Sequence, residues 1–345
     1  MAASIPTTMR AWQYSSTTGG LEKNLVLKTD VAVPSLSPVL GDSEILVEVI
    51  SASINPADYK VPELGLLARA VIRTPATPGM DFCGRVVKAT RTVDSFAIGE
   101  IVFGRKEPGQ QGTCGQYIVV PVNSCVSLPK EGITPDQAAS IGVAGVTAYL
   151  SISPNVKAGD SIFINGGSGG TGTYGIQIAK ALGCHVTVSC STAKVSQCKS
   201  LGADEVIDYT TTDVSQTLRQ GGPLYTLCVD NVGTPDDLYN AADDYLLPTG
   251  KFVQVGSPVS LNSAKTLGSR MLLPSFLGGG KRKFELFVVR GPTPDALFDV
   301  ARMVVDGKVK PVIEETFELE DLPRAFEKLK TGRNSGKLVI HVAKN

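Results

Sequence analysis

The chain has 345 residues, with 33 basic and 33 acidic side chains in an otherwise ordinary globular composition. A formal net charge of zero leaves no electrostatic footprint for a nucleic acid or an anionic membrane surface. No apolar run approaches the length of a membrane span and residues 1–8 lack the apolar stretch of a signal peptide, so the expected location is cytoplasmic. The length exceeds what one hydrophobic core usually serves, and two domains are expected.

Taken in order, the chain begins with strand-like segments. Residues 9–14, 25–28 and 44–52 carry alternating or β-branched patterns broken by glycine and proline. Residues 61–78 hold three prolines and Gly65 and read as a loop with one helical turn. Residues 82–88, 101–103, 116–121 and 126–128 continue the strand pattern, giving a mostly β domain to about residue 128. The period changes at Thr134-Pro135-Asp136, an N-cap followed by proline in the first helical position. Helices are expected through 138–141 and 147–152. Beyond them strands and helices alternate, which implies βαβ units and a parallel sheet. The strands are 162–164, 185–190, 205–208, 224–231, 251–255 and 284–289; the helices include 194–201, 236–246 and 294–305. After Gly307 the pattern returns to β character, with a helix at 322–330 and a last strand at 338–342 that could pair with the first domain.

One stretch carries most of the chemistry. The strand 162–164 runs into Gly167-Ser168-Gly169-Gly170-Thr171-Gly172, and Ile176, Ile178 and Ala179 then begin a helix. Gly167, Gly169 and Gly172 spell G-x-G-x-x-G. The first glycine permits a tight turn, the second lets backbone approach a pyrophosphate, and the third lets helix lie close on strand. The helix N-terminus offers N–H groups and partial positive charge to phosphate. The next strand, 185–190, should end near the adenosine ribose, where NAD sites usually place Asp or Glu. Here it ends Ser189-Cys190-Ser191-Thr192-Ala193-Lys194, hydroxyls and a cation without a carboxylate. That chemistry suits a 2′-phosphate, so NADPH is the expected cofactor. Ser191 or Thr192 also reads as a helix cap. Tyr209 lies beside the same phosphate or on adenine, or is a loop aromatic.

Seven widely spaced cysteines with no C-x-x-C argue against a disulfide framework or a clustered zinc site, and read as buried small apolar residues. The two histidines, His185 and His341, sit in strand patterns and read as structural, so a histidine general base is not expected.

Several separated segments, in order, resemble the medium-chain dehydrogenase/reductase superfamily, specifically its zinc-free quinone oxidoreductase (zeta-crystallin-like) branch. They are Ile54-Asn55-Pro56-Ala57-Asp58-Tyr59-Lys60, Pro78-Gly79-Met80-Asp81-Phe82-Cys83-Gly84, Gly112-Thr113-Cys114-Gly115-Gln116-Tyr117, Gly145-Val146-Thr147-Ala148-Tyr149, the glycine-rich turn, Leu201-Gly202-Ala203-Asp204, and Gly332-Arg333-Asn334-Ser335-Gly336-Lys337. The resemblance covers residues 9–343. It implies an α/β fold: a GroES-like β-rich catalytic domain, 1–130 and 308–345, with an inserted Rossmann dinucleotide-binding domain, 131–307, and an active site in the cleft. Zinc-dependent members place Cys in the first segment and Gly-His-Glu in the second. This chain has Asn55 and Gly79-Met80-Asp81, so no metal is expected.

The implied reaction is hydride transfer from NADPH to a quinone or to the β-carbon of an activated alkene. Tyr59, Asn55 and Lys60 are the catalytic candidates. Tyr59 donates a proton or packs under the adjacent loop; Asn55 positions nicotinamide or acceptor; Lys60 supplies positive potential or is a solvated charge. Thr147 is the implied contact near the pyrophosphate or nicotinamide ribose, Val255 and Gly256 resemble the backbone that meets the carboxamide, and Asn231 falls on the same strand edge. Arg333 and Lys337 bring cations to the cofactor or are surface charges. Residues 59–75 and 257–283, including Met271, Leu272, Leu273, Phe276 and Leu277, are expected to line an apolar acceptor pocket or a subunit interface, since the superfamily commonly forms homodimers. Two rival readings stand beside a quinone or enone reductase: an enoyl-thioester reductase, and an NADPH-binding module without turnover.

Overall fold

The computed structural model describes residues 5–35, 43–91, 93–234, 237–257, 265, 268–270 and 282–343. They form two compact bodies, one of Met1–Val146, Arg290–Asp306 and Pro311–Asn345, the other of Thr147–Val289 and Gly307–Lys310.

In the first body, β1 (Thr8–Gln13) and β2 (Val26–Ala32) form an antiparallel ribbon. The main sheet is built from β3 (Glu44–Ile54), β4 (Asp81–Ala89), β5 (Ile101–Arg105), β6 (Tyr117–Pro121) and β7 (Cys125–Ser127). Two strands from the chain's other end, β14 (Ile313–Glu318) and β15 (Lys337–His341), complete it. β15 lies antiparallel to β3, with Leu338 opposite Ile54 and His341 opposite Ser51. The C-terminal tail therefore belongs to the N-terminal sheet, as its apolar alternation allows. Trp12, Phe82, Ile118, Phe326 and Ile340 share its core. A short helix, α1 (Pro56–Lys60), follows β3 directly.

The second body holds a six-stranded, wholly parallel sheet. Its strands are β8 (Ser161–Asn165), β9 (His185–Cys190), β10 (Glu205–Asp208), β11 (Tyr225–Asp230), β12 (Leu246–Gln254) and β13 (Lys283–Leu286), in the order β10-β9-β8-β11-β12-β13. Both faces are covered. Ile162 and Ile164 point to a cluster with Ile176, Val188 and Val229; Phe163, between them, points to one with Leu218, Cys228 and Phe252. That two-sided burial explains why these strands read as unbroken apolar runs. Strand order reverses at β8, the switch point where ligands bind in such sheets.

The helices depart from the sequence reading in four places. The expected segments 138–141 and 147–152 are one helix, α2 (Pro135–Ile152), because Gly142 and Gly145 between them are tolerated where the backbone ladder is continuous. Thr134 and Gln137 cap its start reciprocally. α3 (Gly170–Ala181) begins inside the glycine-rich turn, six residues before the apolar face that signalled it. α4 is Val195–Ser200. α5 (Val214–Gly221), capped by Asp213 accepting from the Gln216 N–H, was hidden by its polar composition. The segment expected as one helix at 236–246 is α6 (Asp237–Asn240) and α7 (Ala242–Tyr245). α8 (Pro294–Val305) and α9 (Leu322–Lys330) match their expected bounds. All seven cysteines are free and buried.

Candidate active site

The turn after β8 is shaped by what its glycines touch. Gly166, just ahead of the motif, carries the left-handed conformation (φ +79°) that the strand-to-helix turn needs. A Cβ on Gly167 would stand 2.8 Å from Val188 Cβ, and one on Gly172 would stand 2.2 Å from the Gly166 carbonyl. Those two glycines are demanded by the protein's own packing. A Cβ on Gly169 would meet only the Gly166 carbonyl, at 3.8 Å. The space above Gly169 is therefore open to a ligand, and Gly169 is also the N-cap of α3. Ser168, Gly170 and Thr171 complete the turn. This is the cradle a pyrophosphate requires: bare backbone at a helix N-terminus.

A buried network holds the turn still. Ser189 Oγ donates to Asn165 Oδ1 at 2.6 Å and accepts from the Gly166 N–H at 3.0 Å. Asn165 Nδ2 donates to Asp230 Oδ1 at 2.8 Å and to the Thr234 carbonyl. Burial pushes the Asp230 carboxyl above its ordinary range, opposed by N–H donation from Gly233 and Val232. The ends of β8, β9 and β11 are thus tied side chain to side chain. Beside them, Gly256 lies so close to Asn231 that a Cβ would sit 1.9 Å from its carbonyl oxygen. The Val255 and Gly256 N–H groups both donate to the Asp230 carbonyl. Asn231, Val255 and Gly256 are therefore brought together at the C-terminal edge of the sheet. Asn231 Oδ1 is buried with no hydrogen-bond partner among the described residues, an acceptor of the kind a carboxamide N–H would satisfy. Thr147, on α2, is buried in the same body.

At the other end of the nucleotide track, Ser191 precedes a 3₁₀ turn, Thr192–Lys194, closed by the Lys194 N–H donating to the Ser191 carbonyl. Thr192 Oγ1 donates to Asp208 Oδ2 at 2.5 Å. The carboxylate absent from the end of β9 is thus supplied in space by the end of β10. Thr192 and Thr210 hold the Asp208 carboxyl below its ordinary range. Tyr209 follows it with an exposed side chain. Its type and spacing gave no reason to single out Asp208, because register between neighbouring strands is not written in either strand alone.

In the first body, the start of α1 sits on a buried polar cluster. Asn55 Nδ2 donates to Asp81 Oδ2 at 2.8 Å, and Ser53 Oγ donates to the same oxygen at 3.1 Å. The other oxygen, Oδ1, accepts from the Val143 N–H of α2 at 2.8 Å. Lys337, 3 % exposed, donates to Asn55 Oδ1 at 2.5 Å, to the Ile54 carbonyl at 3.2 Å and to Asp81 Oδ2 at 3.3 Å. Its ammonium is fully engaged inside the body, whereas Arg333 is exposed in the loop before it. Asp58, also buried, accepts from the Asn55 N–H at 2.7 Å; burial first, then the Asp81 charge, pushes its carboxyl up to about 8. The next two residues differ in setting. The Tyr59 ring packs against the domain core with the Lys330 ammonium 5.1 Å from its centroid, and burial raises its hydroxyl's pKa. Lys60 is half-buried, and burial lowers its ammonium's pKa. A cavity of about 170 Å³ opens beside α1, with Tyr14, Asp58, Ile72, Thr77, Met80 and Gln111 among its walls. The expected pocket residues from Met271 to Leu277 lie outside the described residues.

A family model described as an alcohol dehydrogenase GroES-like domain matches residues 41–130, and one described as a zinc-binding dehydrogenase matches residues 201–340. The chain is 42% identical over 354 residues to a protein named trans-enoyl reductase pgmF from Aspergillus terreus, covering 99% of this chain and 98% of that protein. It is 33% identical over 332 residues to the human mitochondrial NAD(P)H oxidoreductase RTN4IP1, covering 87% and 82%. The solved quinone oxidoreductase of Coxiella burnetii superposes with a TM-score of 0.83 at 26% identity, covering 97% and 99%. The zinc of the second description does not fit the residues present. Where a metal would need anionic ligands, Asn55 and Asp81 already receive the Lys337 ammonium.

Proposed function

Since the chain belongs to the medium-chain dehydrogenase/reductase superfamily, we propose that it is an NADPH-dependent, zinc-independent oxidoreductase that reduces an activated carbon–carbon double bond or a quinone. In this reading 131–307 is the NADPH-binding segment and 1–130 with 308–345 the catalytic one, although residues up to Val146 and Arg290–Asp306 pack with the first body. The observation that carries this reading is the open cradle above Gly169 together with an Asn231 acceptor on the same sheet edge that has no partner among the described residues. Bound NADPH supplies the hydride. Gly166–Gly172 hold the pyrophosphate by backbone. Thr147, Asn231, Val255 and Gly256 would orient the nicotinamide end of the bound cofactor. Ser191, Lys194 and Tyr209 receive the 2′-phosphate, and the exposed Arg333 adds a cation for the cofactor.

Reduction of an enone places negative charge on the acceptor oxygen and then requires a proton. Lys60 is the donor we assign, because partial burial makes its ammonium both a stronger acid and a less screened charge. Tyr59, packed against the domain core beneath Lys330, keeps its proton. Asn55, buried with both ends of its amide engaged, holds Asp81 and Lys337 in place rather than meeting the acceptor. The Aspergillus terreus relative favours a second, narrower reading, an enoyl-thioester as the acceptor.

The test is NADPH oxidation at 340 nm by the purified protein against a benzoquinone, a naphthoquinone, a short enone and an enoyl-CoA, each with an NADH control. Turnover of enone or quinone with NADPH supports the general reading, and preference for enoyl-CoA the narrower one. Tight NADPH binding with no turnover of any acceptor would leave a nucleotide-binding module. Equal rates with NADH would remove the 2′-phosphate assignment.

A further inference from the structure

We infer that Asp208, a residue outside the phosphate-binding set proposed above, is the positioning residue that preorganises the 2′-phosphate subsite. The inference rests on the NADPH reading and deepens it. Ser191, Lys194 and Tyr209 lie on two turns, Ser191–Lys194 after β9 and Tyr209–Thr212 after β10. These strands are parallel neighbours that end in register, Asp208 opposite Cys190.

The Asp208 carboxylate spans both turns. Oδ2 accepts from Thr192 Oγ1 at 2.5 Å; Oδ1 accepts from Thr210 Oγ1 at 2.7 Å and from the Thr210 N–H at 2.9 Å. The two threonine hydroxyls are themselves 2.7 Å apart. Backbone bonds finish the clamp: the Tyr209 N–H donates to the Cys190 carbonyl, and the Thr211 and Thr212 N–H groups donate to the Asp208 carbonyl.

Two consequences follow. Thr192 spends its only hydroxyl proton on a carboxylate, so it cannot also donate to a phosphate; its part is to hold the turn. Donation falls to Ser191, Lys194 and Tyr209, whose spacing is set by the clamp. A carboxylate near a phosphate would ordinarily repel it. Here three neutral donors fix the Asp208 carboxylate at the solvent-exposed end of the strand, where its charge is screened, so what it contributes is order. Turns fixed before the ligand arrives need no ordering on binding.

The experiment measures binding of 2′,5′-ADP and of 5′-AMP by calorimetry, in wild-type protein and in Asp208→Ala and Asp208→Asn. The two nucleotides differ by the 2′-phosphate alone, so any general loss of fold cancels in their ratio. Asp208→Ala is expected to lower the preference for 2′,5′-ADP by roughly tenfold, as for a turn that must be ordered on binding. Asp208→Asn keeps an acceptor for Thr210 and a polar partner for Thr192, and is expected to hold the ratio within about twofold. An alanine variant whose ratio stays level or rises overturns the inference, because the carboxylate would then be neutral or repulsive toward the phosphate. Equal losses in both variants overturn it as well. Wild-type protein that does not distinguish the two nucleotides removes the NADPH reading and this inference together. Discrimination that survives in both variants removes the inference alone.

Discussion

Replacing Lys337 by Met would test the buried cluster beneath Asn55 most directly. Methionine is close in shape to the lysine stem, so packing changes little and the loss is electrostatic. Three contacts go: those to Asn55 Oδ1, the Ile54 carbonyl and Asp81 Oδ2. Both members of the ion pair are almost wholly buried, with side chains 3% and 0% exposed, so solvent cannot replace the missing charge. Breaking a buried pair from one side costs about 3–5 kcal/mol. Asp81 keeps three donors, Asn55 Nδ2, Ser53 Oγ and the Val143 N–H, which points to the lower end. At about 2–4 °C per kcal/mol for a body of roughly 150–250 residues, a loss of about 3 kcal/mol lowers Tm by roughly 6–12 °C. Thermal melting by circular dichroism measures it. Adding Asp81→Asn to Lys337→Met removes the stranded carboxylate and is expected to recover about 1–2 kcal/mol. A single variant that melts within about 2 °C of wild type, or a double variant less stable than the single, would refute the assignment of Lys337 as an internal counter-charge.

Gly169→Ala should fold normally and bind NADPH at least roughly tenfold more weakly, whereas Gly172→Ala should also lower Tm, since its Cβ has no room; nucleotide fluorescence titration beside a melt separates the two. Lys60→Met should reduce kcat on an enone by about 10²-fold, and in wild type kcat should fall at alkaline pH as the ammonium is lost, with Lys60→Arg moving that limb upward. Asp58 has a folded pKa raised to about 8, so the folded state holds its proton while the unfolded state releases it, and stability should decline as pH rises from about 4 to 8. Asp58→Asn should flatten that decline in urea titrations by roughly 1–3 kcal/mol, and an unchanged slope would discount the buried carboxyl. His341 shifts in the same direction: donation toward Asp136, with the Glu318 charge nearby, raises its pKa, so its contribution is complete below about 6.5 and lost as pH rises through the folded value. His341→Gln should remove that dependence, worth about 0.5–1 kcal/mol for a partly exposed pair.

Much of the architecture was legible without coordinates because it depends on local pattern. The two-sided burial of β8 and β11 writes continuous apolar runs. The reciprocal cap at Thr134 and Gln137 marks a helix start, and glycine spacing marks the nucleotide turn. The returning C-terminal strand was readable as a strand but not as a neighbour of β3, since pairing across nearly 300 residues leaves no local trace. The short polar helix α5 and the split of 237–245 were missed for a related reason: packing of Leu218, Leu238 and Tyr245 on one face, rather than periodicity, holds them.

The site divides along the same line. Residue types alone determined which chemistry was available: bare backbone at Gly167, Gly169 and Gly172, hydroxyls and a cation after β9, and amide and carboxylate where zinc-dependent members hold metal ligands. Only the tertiary structure decided what each group is bonded to. It placed Gly166 rather than Gly167 in the left-handed turn, spent the Lys337 ammonium on Asn55 and Asp81, and brought Asp208 from a neighbouring strand onto Thr192. A side chain's chemistry is a property of its own atoms, whereas its protonation, its direction and its free donors depend on partners that folding brings from far along the chain.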